Sequence, residues 1–317
     1  MERLLEVQHL KKYFKTPGGM LHAVDDVSFH IEKGKTVGIV GESGCGKSTL
    51  GRTLIHLLES TDGKIYFHGE DITHVDKHKL RKLREHMQII FQDPFSSLNP
   101  RMTTVETIEE PLRLTGRYGK EEIRELTRKM METVGLDERL YHAYPHELDG
   151  GRRQRIGIAR ALILNPEFVV CDEPVSALDV SIQAQILNLM QDLQEERNFT
   201  YVFITHDLSV VRHISDEICV MYLGQMIEKC GAKELFENPL HPYTKALLSA
   251  IPIPDIHVKR NRIILKGEIT SPVEPKPGCR FAARCPYCRE ECSIPQSLQD
   301  MGEGHMVACG RVKEINR

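Results

Sequence analysis

One nine-residue segment, GESGCGKST at positions 41–49, constrains this chain more than any other feature. It follows TVGIV, a short β-branched apolar run typical of a strand that is buried on both faces. A helical pattern begins at Ser48 and continues to Leu58. A glycine-rich loop between a buried strand and a helix is the setting in which proteins cradle phosphate groups. The segment therefore predicts a nucleotide-binding loop within an α/β sheet.

The residue types of this loop suit the chemistry of phosphate binding. Glycines let successive backbone N–H groups turn toward one point, where side chains would block the phosphates. The helix that starts near Lys47 directs the positive end of its dipole at the same anions. We expect Lys47 to reach the β- and γ-phosphates of ATP and the Ser48 hydroxyl to bind Mg²⁺. The predicted nucleotide-binding residues of the loop are Gly41, Ser43, Gly44, Cys45, Gly46, Lys47, Ser48 and Thr49.

A second buried strand, FVVCD at 168–172, ends in the acidic residue that such a site needs. Asp172 is expected to hold the Mg²⁺ shell, and Glu173 follows it directly. A carboxylate beside the magnesium ligand is well placed to polarise an attacking water. Together with the loop, this pair predicts ATP hydrolysis as well as ATP binding.

The rest of the chain reads as strands alternating with helices, which favours an α/β sheet with a helical block near residues 93–160 as an insertion. The formal net charge of −3 gives no indication of a nucleic-acid partner. The N-terminal residues lack the apolar core of a signal peptide, and nowhere do eighteen apolar residues run together. If the protein serves a membrane, we expect it to do so from the soluble side.

Six short motifs in order resemble the ABC ATPase family over roughly residues 3–235: GESGCGKST, FQDP, ELDGGRRQR, FVVCDEP, SALD and ITHD. The resemblance implies a P-loop NTPase core with an antiparallel β subdomain and a helical subdomain. It gives Gln92 a role at Mg²⁺ or the attacking water, and His206 a role at the γ-phosphate. Asp179 would communicate between sites at a dimer interface. Phe14 would stack on adenine, with Tyr13 as the alternative.

The family signature LSGGQ is changed here to Leu148, Asp149, Gly150, Gly151 and Arg152. In this family the signature of one subunit faces the phosphate loop of another, and its serine donates to the γ-phosphate. Asp149 stands in place of that serine, and an ionised carboxylate has no proton to donate and repels phosphate. We hypothesise a heterodimer with unequal sites, in which this chain's own loop forms the better one. The alternative is that a water or Mg²⁺ lets aspartate be tolerated.

The last forty residues contain a cluster of cysteines in a chain with no sign of export, which favours a metal site over disulfides. NPLHPYTKALLSAIP at 238–252 and PGCRFAARCPYCREEC at 277–292 resemble the C-terminal region of the oligopeptide, dipeptide and nickel importer branch. That resemblance supports a [4Fe-4S] cluster on Cys279, Cys285, Cys292 and Cys309. Zinc and free thiols are the alternatives, and Cys288 makes the ligand set uncertain.

These resemblances imply an ATPase that energises import of dipeptides or oligopeptides, with ATP and Mg²⁺ as cofactors. Nickel or another small solute is the alternative cargo. The implied partners are a second ATPase subunit, two transmembrane permease subunits and, indirectly, an extracytoplasmic solute-binding protein, with the chain peripheral on the cytoplasmic face of the membrane. A soluble ABC ATPase acting on DNA or ribosomes is disfavoured, because no long coiled coil and no second cassette are present. We place the ATPase domain at 1–235 and a cysteine-rich C-terminal region at 236–317.

Overall fold

The computed structural model describes residues 2–251, 262–267 and 271–316. Segments 252–261 and 268–270 of the predicted C-terminal region therefore lie outside the described residues. The chain forms two compact units. The first, here the helical unit, contains Glu32–Lys35 and Val75–Val202. The second, here the sheet unit, contains Arg3–Ile31, Thr36–His74 and the described residues from Phe203 onward.

The strands are given in chain order. They are β1 (Arg3–Thr16), β2 (Gly19–Glu32), β3 (Thr36–Val40), β4 (Asp62–Phe67), β5 (Glu70–Asp71), β6 (Met87–Ile90), β7 (Phe168–Asp172), β8 (Thr200–Ile204), β9 (Glu217–Tyr222), β10 (Gln225–Gly231), β11 (Gln299–Asp300) and β12 (Met306–Val307).

The α-helices follow the same order. They are α1 (Lys47–Leu54), α2 (Lys77–His86), α3 (Pro94–Ser97), α4 (Thr104–Thr115), α5 (Lys120–Thr133), α6 (Gly150–Leu162), α7 (Val180–Arg197), α8 (Leu208–Ile214), α9 (Ala232–Glu237), α10 (Pro242–Ser249) and α11 (Val312–Ile315). Among the described residues, no helix is both long enough and apolar enough to cross a membrane.

The sheet unit contains two sets of paired strands. In one, the strand order is β2-β1-β4-β5, with β1 antiparallel to β4. In the other, the order within this unit is β11-β12-β10-β9-β3. Here β3 runs parallel to β9, whereas β10 runs antiparallel to both β9 and β12. All five residues of β3 are buried, so the strand that leads into the loop at 41–49 is an interior strand, as its apolar β-branched sequence predicts.

The helical unit packs around α6. This helix contacts α3, α4, α5 and α7, and its buried residues include Ile156 and Ile158. Local sequence signals fix where α4 begins: Thr103 accepts from the Glu106 N–H, while the Glu106 carboxylate accepts from the Thr103 N–H at 2.8 Å. This reciprocal capping box satisfies donors that the first helical turn would otherwise leave unpaired. In the same unit β6 and β7 run parallel.

The structure confirms the main elements expected from hydrophobic patterning. The apolar runs TVGIV, FVVCD and TYVFI form strands, and two strands flank Gly224. The sequence SIQAQILNLMQDLQEE predicts a helical stripe of Ile182, Ile186, Leu189 and Leu193. In α7, Ile186 and Leu193 are buried as predicted, whereas Ile182 and Leu189 are half-buried and Met190 is buried in addition. A purely apolar stripe with a 3.6-residue period could not indicate how far each end of the helix is covered.

The C-terminal segment adds strands to the sheet unit. In β12, Val307 pairs with Glu228 and Met306 pairs with Lys229 of β10. Val273 forms a bridge with Leu21 of β2, and the Pro272 carbonyl accepts from the His22 N–H at 2.9 Å. The C-terminal segment therefore pairs through its backbone with β2, which precedes the phosphate loop in the sequence, and with β10, which follows it. The proposed boundary near residue 235 stays a prediction.

A buried carboxylate organises the junction between β10 and the C-terminal segment. Glu228 has no exposed surface, and it accepts from the Leu240 N–H at 2.7 Å and the His241 N–H at 3.0 Å. The His305 Nε2 lies 2.8 Å from the same carboxylate. Burial alone would disfavour the imidazolium, but the hydrogen bond to Glu228 and the charges of Glu228 and Glu234 outweigh it and raise the pKa of His305.

This raised pKa predicts a pH-dependent contribution to stability. Because the folded state binds the His305 proton more tightly than the unfolded state, the stabilisation is fully present below the unfolded pKa and is lost as pH rises through the folded pKa. His305→Gln should therefore lower the free energy of unfolding by about 2 kcal/mol at pH near 6, and by less at pH near 9. Urea unfolding of both proteins at the two pH values measures the difference.

Comparing variant with wild type at each pH is necessary because another histidine nearby titrates with the opposite sign. Burial lowers the pKa of His241 to about 4, so its contribution falls as the solution is acidified. Because wild type and His305→Gln both contain His241, its titration affects both proteins equally and cancels in the comparison. A loss of stability in His305→Gln that is equal at both pH values would show that His305 acts only as a neutral hydrogen-bonding side chain.

Candidate nucleotide-binding site

The loop at 41–49 adopts backbone conformations that only glycine adopts readily. Its φ angles are 152° at Gly41, 79° at Gly44 and 104° at Gly46. A Cβ at Gly41 would clash with the Met221 carbonyl oxygen, and one at Gly46 would clash with the Ala23 carbonyl oxygen. The glycines are therefore required both by backbone angle and by close approach to neighbouring main chain.

Lys47 is an almost fully enclosed charged side chain of the loop. It is 4% exposed, and its Nζ donates to the carbonyl of Gly41 at 2.8 Å and to the carbonyl of Glu42 at 3.0 Å. The thiol of Cys45 lies 3.9 Å from the same nitrogen. The backbone carbonyls of the loop thus surround the ammonium group of Lys47. Lys47 is also the first residue of α1, so its charge and the N-terminal end of that helix coincide.

The remaining predicted loop residues lie around this centre. Ser43 and Gly44 are exposed at the rim, while Cys45 is buried below it. Ser48 and Thr49 lie half-buried in the first turn of α1. The Thr49 carbonyl accepts from the Thr53 hydroxyl at 2.7 Å, which ties that turn to the next. An anion bound at the rim would meet a lysine, a hydroxyl group and a helix N-terminus together.

The helical unit brings together two of the predicted catalytic residues. At the end of β7, Asp172 is fully buried and Glu173 has φ of 47°, a left-handed angle that is strained for a glutamate. The Gln92 Nε2 donates to the Glu173 Oε2 at 2.9 Å. The carbonyl of Glu173 accepts from the Ser176 hydroxyl at 3.1 Å. Strain at a strand end beside a positioned carboxylate is typical of functional sites.

His206 and Asp179 take different settings. In the sheet unit, His206 is exposed between β8 and α8, and the neighbouring Thr205 N–H donates to the Ile39 carbonyl of β3 at 3.2 Å. This pairing places His206 beside the strand that leads into the loop. Asp179 is exposed at the N-terminus of α7 in the helical unit, and its carbonyl accepts from the Gln183 N–H at 2.9 Å.

The altered signature forms the start of α6. Asp149 is the N-cap residue of this helix, and its carboxylate accepts from the Arg152 N–H at 2.8 Å. The Arg152 Nε lies 3.5 Å from the second carboxylate oxygen, and both side chains are exposed. Leu148 is buried, whereas Gly150 and Gly151 form the first turn. Aspartate and serine are both strong N-cap residues, so the substitution preserves the helix start while it introduces a charge.

The two candidate aromatic residues differ in what they contact. The Tyr13 ring stacks on His22 with centroids 3.9 Å apart, and its hydroxyl donates to Asp25. The Phe14 ring instead has the ammonium of Lys12 4.9 Å from its centroid, a cation–π contact. One face of Tyr13 is therefore already covered within the chain.

The predicted cluster ligands lie close together. Burial, with smaller contributions from the neighbouring thiols of Cys292, Cys309 and Cys285, raises the pKa of Cys279 to about 11. The Cys279 N–H donates to the Cys292 carbonyl at 2.8 Å. Cys288 is exposed. Within the described ranges, however, no group of three or more Cys, His, Asp or Glu side chains is arranged as it stands to hold a metal ion.

Sequence reasoning missed the residues that tie the C-terminal segment to the loop. The guanidinium of Arg284 donates to both carboxylate oxygens of Glu42, at 2.7 and 3.1 Å. The guanidinium of Arg280 contacts Asp25 and the Leu223 carbonyl. Arg284 and Glu42 are 242 positions apart, and nothing in a single sequence links them. The only available signal in the sequence was the position of Arg280 and Arg284 among the cysteines.

A glycine-rich loop around a buried lysine, followed by a helix and accompanied by a strand that ends in two carboxylates, defines a P-loop nucleotide-binding protein. Comparisons with known proteins agree. Residues 24–176 match the family model described as ABC transporter, and residues 227–292 match the one described as oligopeptide/dipeptide transporter, C-terminal region.

Curated relatives match almost the whole chain. The oligopeptide transport ATP-binding protein AppF of Bacillus subtilis is 53% identical over 97% of this chain and 97% of its own length. OppF of Salmonella typhimurium, named as an oligopeptide transport ATP-binding protein, is 49% identical over 98% of this chain and 94% of its own. Among solved structures, the dimeric ATP-binding cassette MJ0796 with ADP and Pi matches with a TM-score of 0.67 and 30% identity, covering 72% of this chain and 99% of that one.

The chain belongs to the ABC transporter ATP-binding proteins, within the group that carries the oligopeptide/dipeptide transporter C-terminal region. It is accordingly an ATPase with the α/β P-loop fold of that family. The expectation drawn from the six short motifs is confirmed at the level of family, fold and ATPase activity.

The capping role of Asp149 can be tested apart from any role in catalysis. Asp149→Ala should lower the free energy of unfolding by about 1 kcal/mol, because the Arg152 N–H loses its acceptor. Asp149→Ser should be close to wild type, since serine caps nearly as well. Urea unfolding at neutral pH provides the measurement. Equal destabilisation by both substitutions would contradict the capping role.

Proposed function

We propose that this chain is one of two ATPase subunits that energise import of peptides across a cell membrane, acting from the cytoplasmic face. The observation that carries the proposal is the joint presence of the phosphate loop and the C-terminal region of the oligopeptide/dipeptide type in one chain. Relatives that match nearly its full length are named as oligopeptide transport proteins. Two permease subunits and an extracytoplasmic binding protein would supply the pathway and select the solute.

In the proposed site, Lys47 would exchange its contacts with the carbonyls of Gly41 and Glu42 for contacts with the β- and γ-phosphates. Ser48 and Asp172 would hold Mg²⁺. Ser48 lies in the first turn of α1, and Asp172 ends the buried strand β7. The bound Mg²⁺ would neutralise charge that develops on the phosphates.

Glu173 is the proposed base that polarises the attacking water. The amide of Gln92 already orients its carboxylate through the 2.9 Å hydrogen bond. Gln92 would thus link the catalytic carboxylate, and through it Mg²⁺ or the water, to the rest of the helical unit. We propose that His206 contacts the γ-phosphate and that Asp179 communicates across the dimer interface.

Between the two aromatic candidates, we favour Phe14 for stacking on adenine. The Tyr13 ring is stacked on His22 and its hydroxyl donates to Asp25, so binding adenine would require it to leave these contacts. Phe14 has a single cation–π contact with Lys12, which a base could displace or share.

The permease partners would dock on an apolar groove of the helical unit. The groove is lined by residues of α2 and α4, including Leu80, Pro111 and Leu114, together with Leu164. Leu114 is 66% exposed and shares the groove with Leu80, Pro111 and Leu164, so the apolar surface is a patch rather than a single side chain. Basic side chains at the rim, among them Arg81 and Arg84, would add polar contacts. Pro111 and Leu114 belong to the helical block predicted near residues 93–160, whereas Leu80 and Leu164 lie outside it.

The signature of this chain would complete the partner's nucleotide site, and there Asp149 would be unfavourable. A carboxylate near a phosphate in a partly desolvated interface costs on the order of several kcal/mol. Arg152, whose Nε lies 3.5 Å from Asp149, would offset part of this cost. We therefore propose a heterodimer in which this chain's loop, completed by the partner's signature, forms the main hydrolytic site.

This asymmetry predicts which site turns over. With the partner ATPase present, Glu173→Gln in this chain alone should lower the rate of ATP hydrolysis by about 100-fold or more, because general-base catalysis is lost at the main site. The matched control is the equivalent glutamate-to-glutamine change in the partner only, which should have a much smaller effect. Steady-state phosphate release measures both.

A rate close to wild type in the complex that contains Glu173→Gln would place productive hydrolysis in the site that contains Asp149. The view of this signature as weakened would then be wrong, although ATPase activity itself would stand. Uptake of a labelled dipeptide or oligopeptide by vesicles containing the full transporter would test the proposed cargo. Nickel uptake without peptide uptake would favour the alternative member of the same branch.

We further propose that Cys279, Cys285, Cys292 and Cys309 hold a [4Fe-4S] cluster that fastens the C-terminal segment. The hydrogen bond from the Cys279 N–H to the Cys292 carbonyl, at 2.8 Å, supports this assignment because it joins two of the four positions. The four side chains would hold the cluster as thiolates. Zn²⁺ is the alternative.

The cluster predicts a specific loss pattern. Protein purified without oxygen should absorb near about 400 nm and contain about four irons per chain. Cys292→Ser should lose most of the iron, whereas Cys288→Ser, the matched control at an exposed position, should keep it. Zinc without iron in the wild-type protein prepared without oxygen would contradict the [4Fe-4S] cluster. Loss of iron in Cys288→Ser would show that Cys288 is one of the ligands.

A further inference from the structure

The second residue of the phosphate loop is held from three directions. The Glu42 N–H donates to the Tyr243 hydroxyl at 2.9 Å, and its carbonyl accepts from the Lys47 ammonium at 3.0 Å. Its carboxylate accepts two hydrogen bonds from Arg284, at 2.7 and 3.1 Å. Two of these three partners, Tyr243 and Arg284, lie C-terminal to residue 235. The position of the loop residue that touches Lys47 is thus fixed from the C-terminal segment.

The contact between Arg284 and Glu42 has the geometry of a strong ion pair. It is bidentate, so both carboxylate oxygens are engaged by the planar guanidinium. The Arg284 side chain is 8% exposed and the Glu42 side chain is 24% exposed. Removing one partner of such a shielded pair leaves the other charge uncompensated. This pair differs in that respect from the exposed pairs on α5.

A second arginine, Arg280, acts on the middle of the loop through the β9–β10 turn. Arg280 contacts the Leu223 carbonyl and the Asp25 carboxylate, and its side chain is 5% exposed. The next residue, Gly224, donates its N–H to the Cys45 carbonyl at 2.8 Å, and its carbonyl accepts from the Asp25 N–H at 2.8 Å. Arg280 therefore braces the β9–β10 turn that closes on Cys45.

An aromatic anchor fixes both arginines in place. Phe281 is 1% exposed, and its ring meets Tyr222 and Tyr243 edge-on, with centroids 5.3 and 5.4 Å apart. It lies next to Arg280 and one turn before Arg284. These aromatic contacts anchor the backbone between Arg280 and Arg284 against the sheet unit.

We propose that Arg280 and Arg284 are positioning residues for nucleotide binding: they hold the phosphate loop in shape, and Arg284 neutralises Glu42. A carboxylate within a loop that binds phosphates would repel them unless its charge is balanced. Arg284 supplies that balance from outside the loop, and Arg280 braces the turn whose Gly224 N–H binds the Cys45 carbonyl. The inference rests on ATP binding by this loop, which Lys47→Ala tests independently.

The test is binding of MgADP to the purified full-length chain, measured by titration calorimetry. MgADP avoids both hydrolysis and the dimer closure that ATP drives. Arg284→Ala should weaken binding about tenfold, because Glu42 is left with an unpaired negative charge beside the phosphates. The double variant Arg284→Ala with Glu42→Gln should recover affinity to within about twofold of wild type, because the repulsive charge is gone.

Matched controls separate positioning from a general loss of stability. Arg124→Ala removes an ion pair with Glu121 that is exposed on α5, and it should leave MgADP affinity unchanged. If Arg284→Ala does not fold, Arg284→Lys keeps the charge and the buried stem while losing the bidentate contact, and should bind MgADP about threefold more weakly.

The proposal fails if Arg284→Ala lowers the melting temperature but binds MgADP as tightly as wild type. It also fails if Glu42→Gln does not restore affinity in the double variant, since the effect of Arg284 would then not act through Glu42. If Lys47→Ala loses MgADP binding and Arg284→Ala binds normally, the loop is still the nucleotide site. Only the positioning role of the arginines is then rejected.

Discussion

The enclosure of the Lys47 ammonium by the carbonyls of its own loop is the interaction on which the rest of the sheet unit depends. To reach it, the chain must turn at Gly41 and Gly46 through angles and approaches that no side chain permits. The carbonyl of Cys45 accepts a hydrogen bond from the Gly224 N–H. With these carbonyls turned inward, the loop presents a cation and a helix N-terminus at its rim, which is the electrostatic requirement for holding phosphate.

The C-terminal segment supplies what this loop cannot supply for itself. A loop that encloses a lysine has few side chains with which to fix its own shape, so neighbouring elements must do so. Tyr243 and Arg284 fix Glu42, while Arg280 fixes the turn that closes on Cys45. The pairing of β12 with β10 connects the same segment to the sheet by backbone hydrogen bonds. The same C-terminal segment thus stabilises both the loop and the edge of the sheet next to it.

The sequence predicted features that depend on neighbouring residues, but not contacts between residues far apart in the chain. The loop, the buried strand β3 and the acidic end of β7 were predictable because each is set by neighbouring residues: glycines for turns, β-branched runs for interior strands and a lysine before a helix. The hydrogen bond between Gln92 and Glu173 was expected only as a shared role. The pairing of Arg284 with Glu42 depends on how β12 and the aromatic residue Phe281 bring the segment back to the sheet, and no local pattern encodes that return.

Asp149 shows how one side chain can satisfy a local rule and oppose a distant requirement. As the N-cap of α6 it accepts from the Arg152 N–H, and a negative charge at a helix N-terminus is stabilising within the chain itself. The same charge reduces the positive potential that this helix end would offer to a phosphate across a dimer interface. A serine would cap the helix and still donate a hydrogen bond to the anion. The stability of the subunit alone therefore gives no reason to prefer serine over aspartate at this position. A dimer that hydrolyses ATP equally at both sites would require serine. The presence of aspartate therefore fits a dimer in which only one of the two sites must hydrolyse ATP.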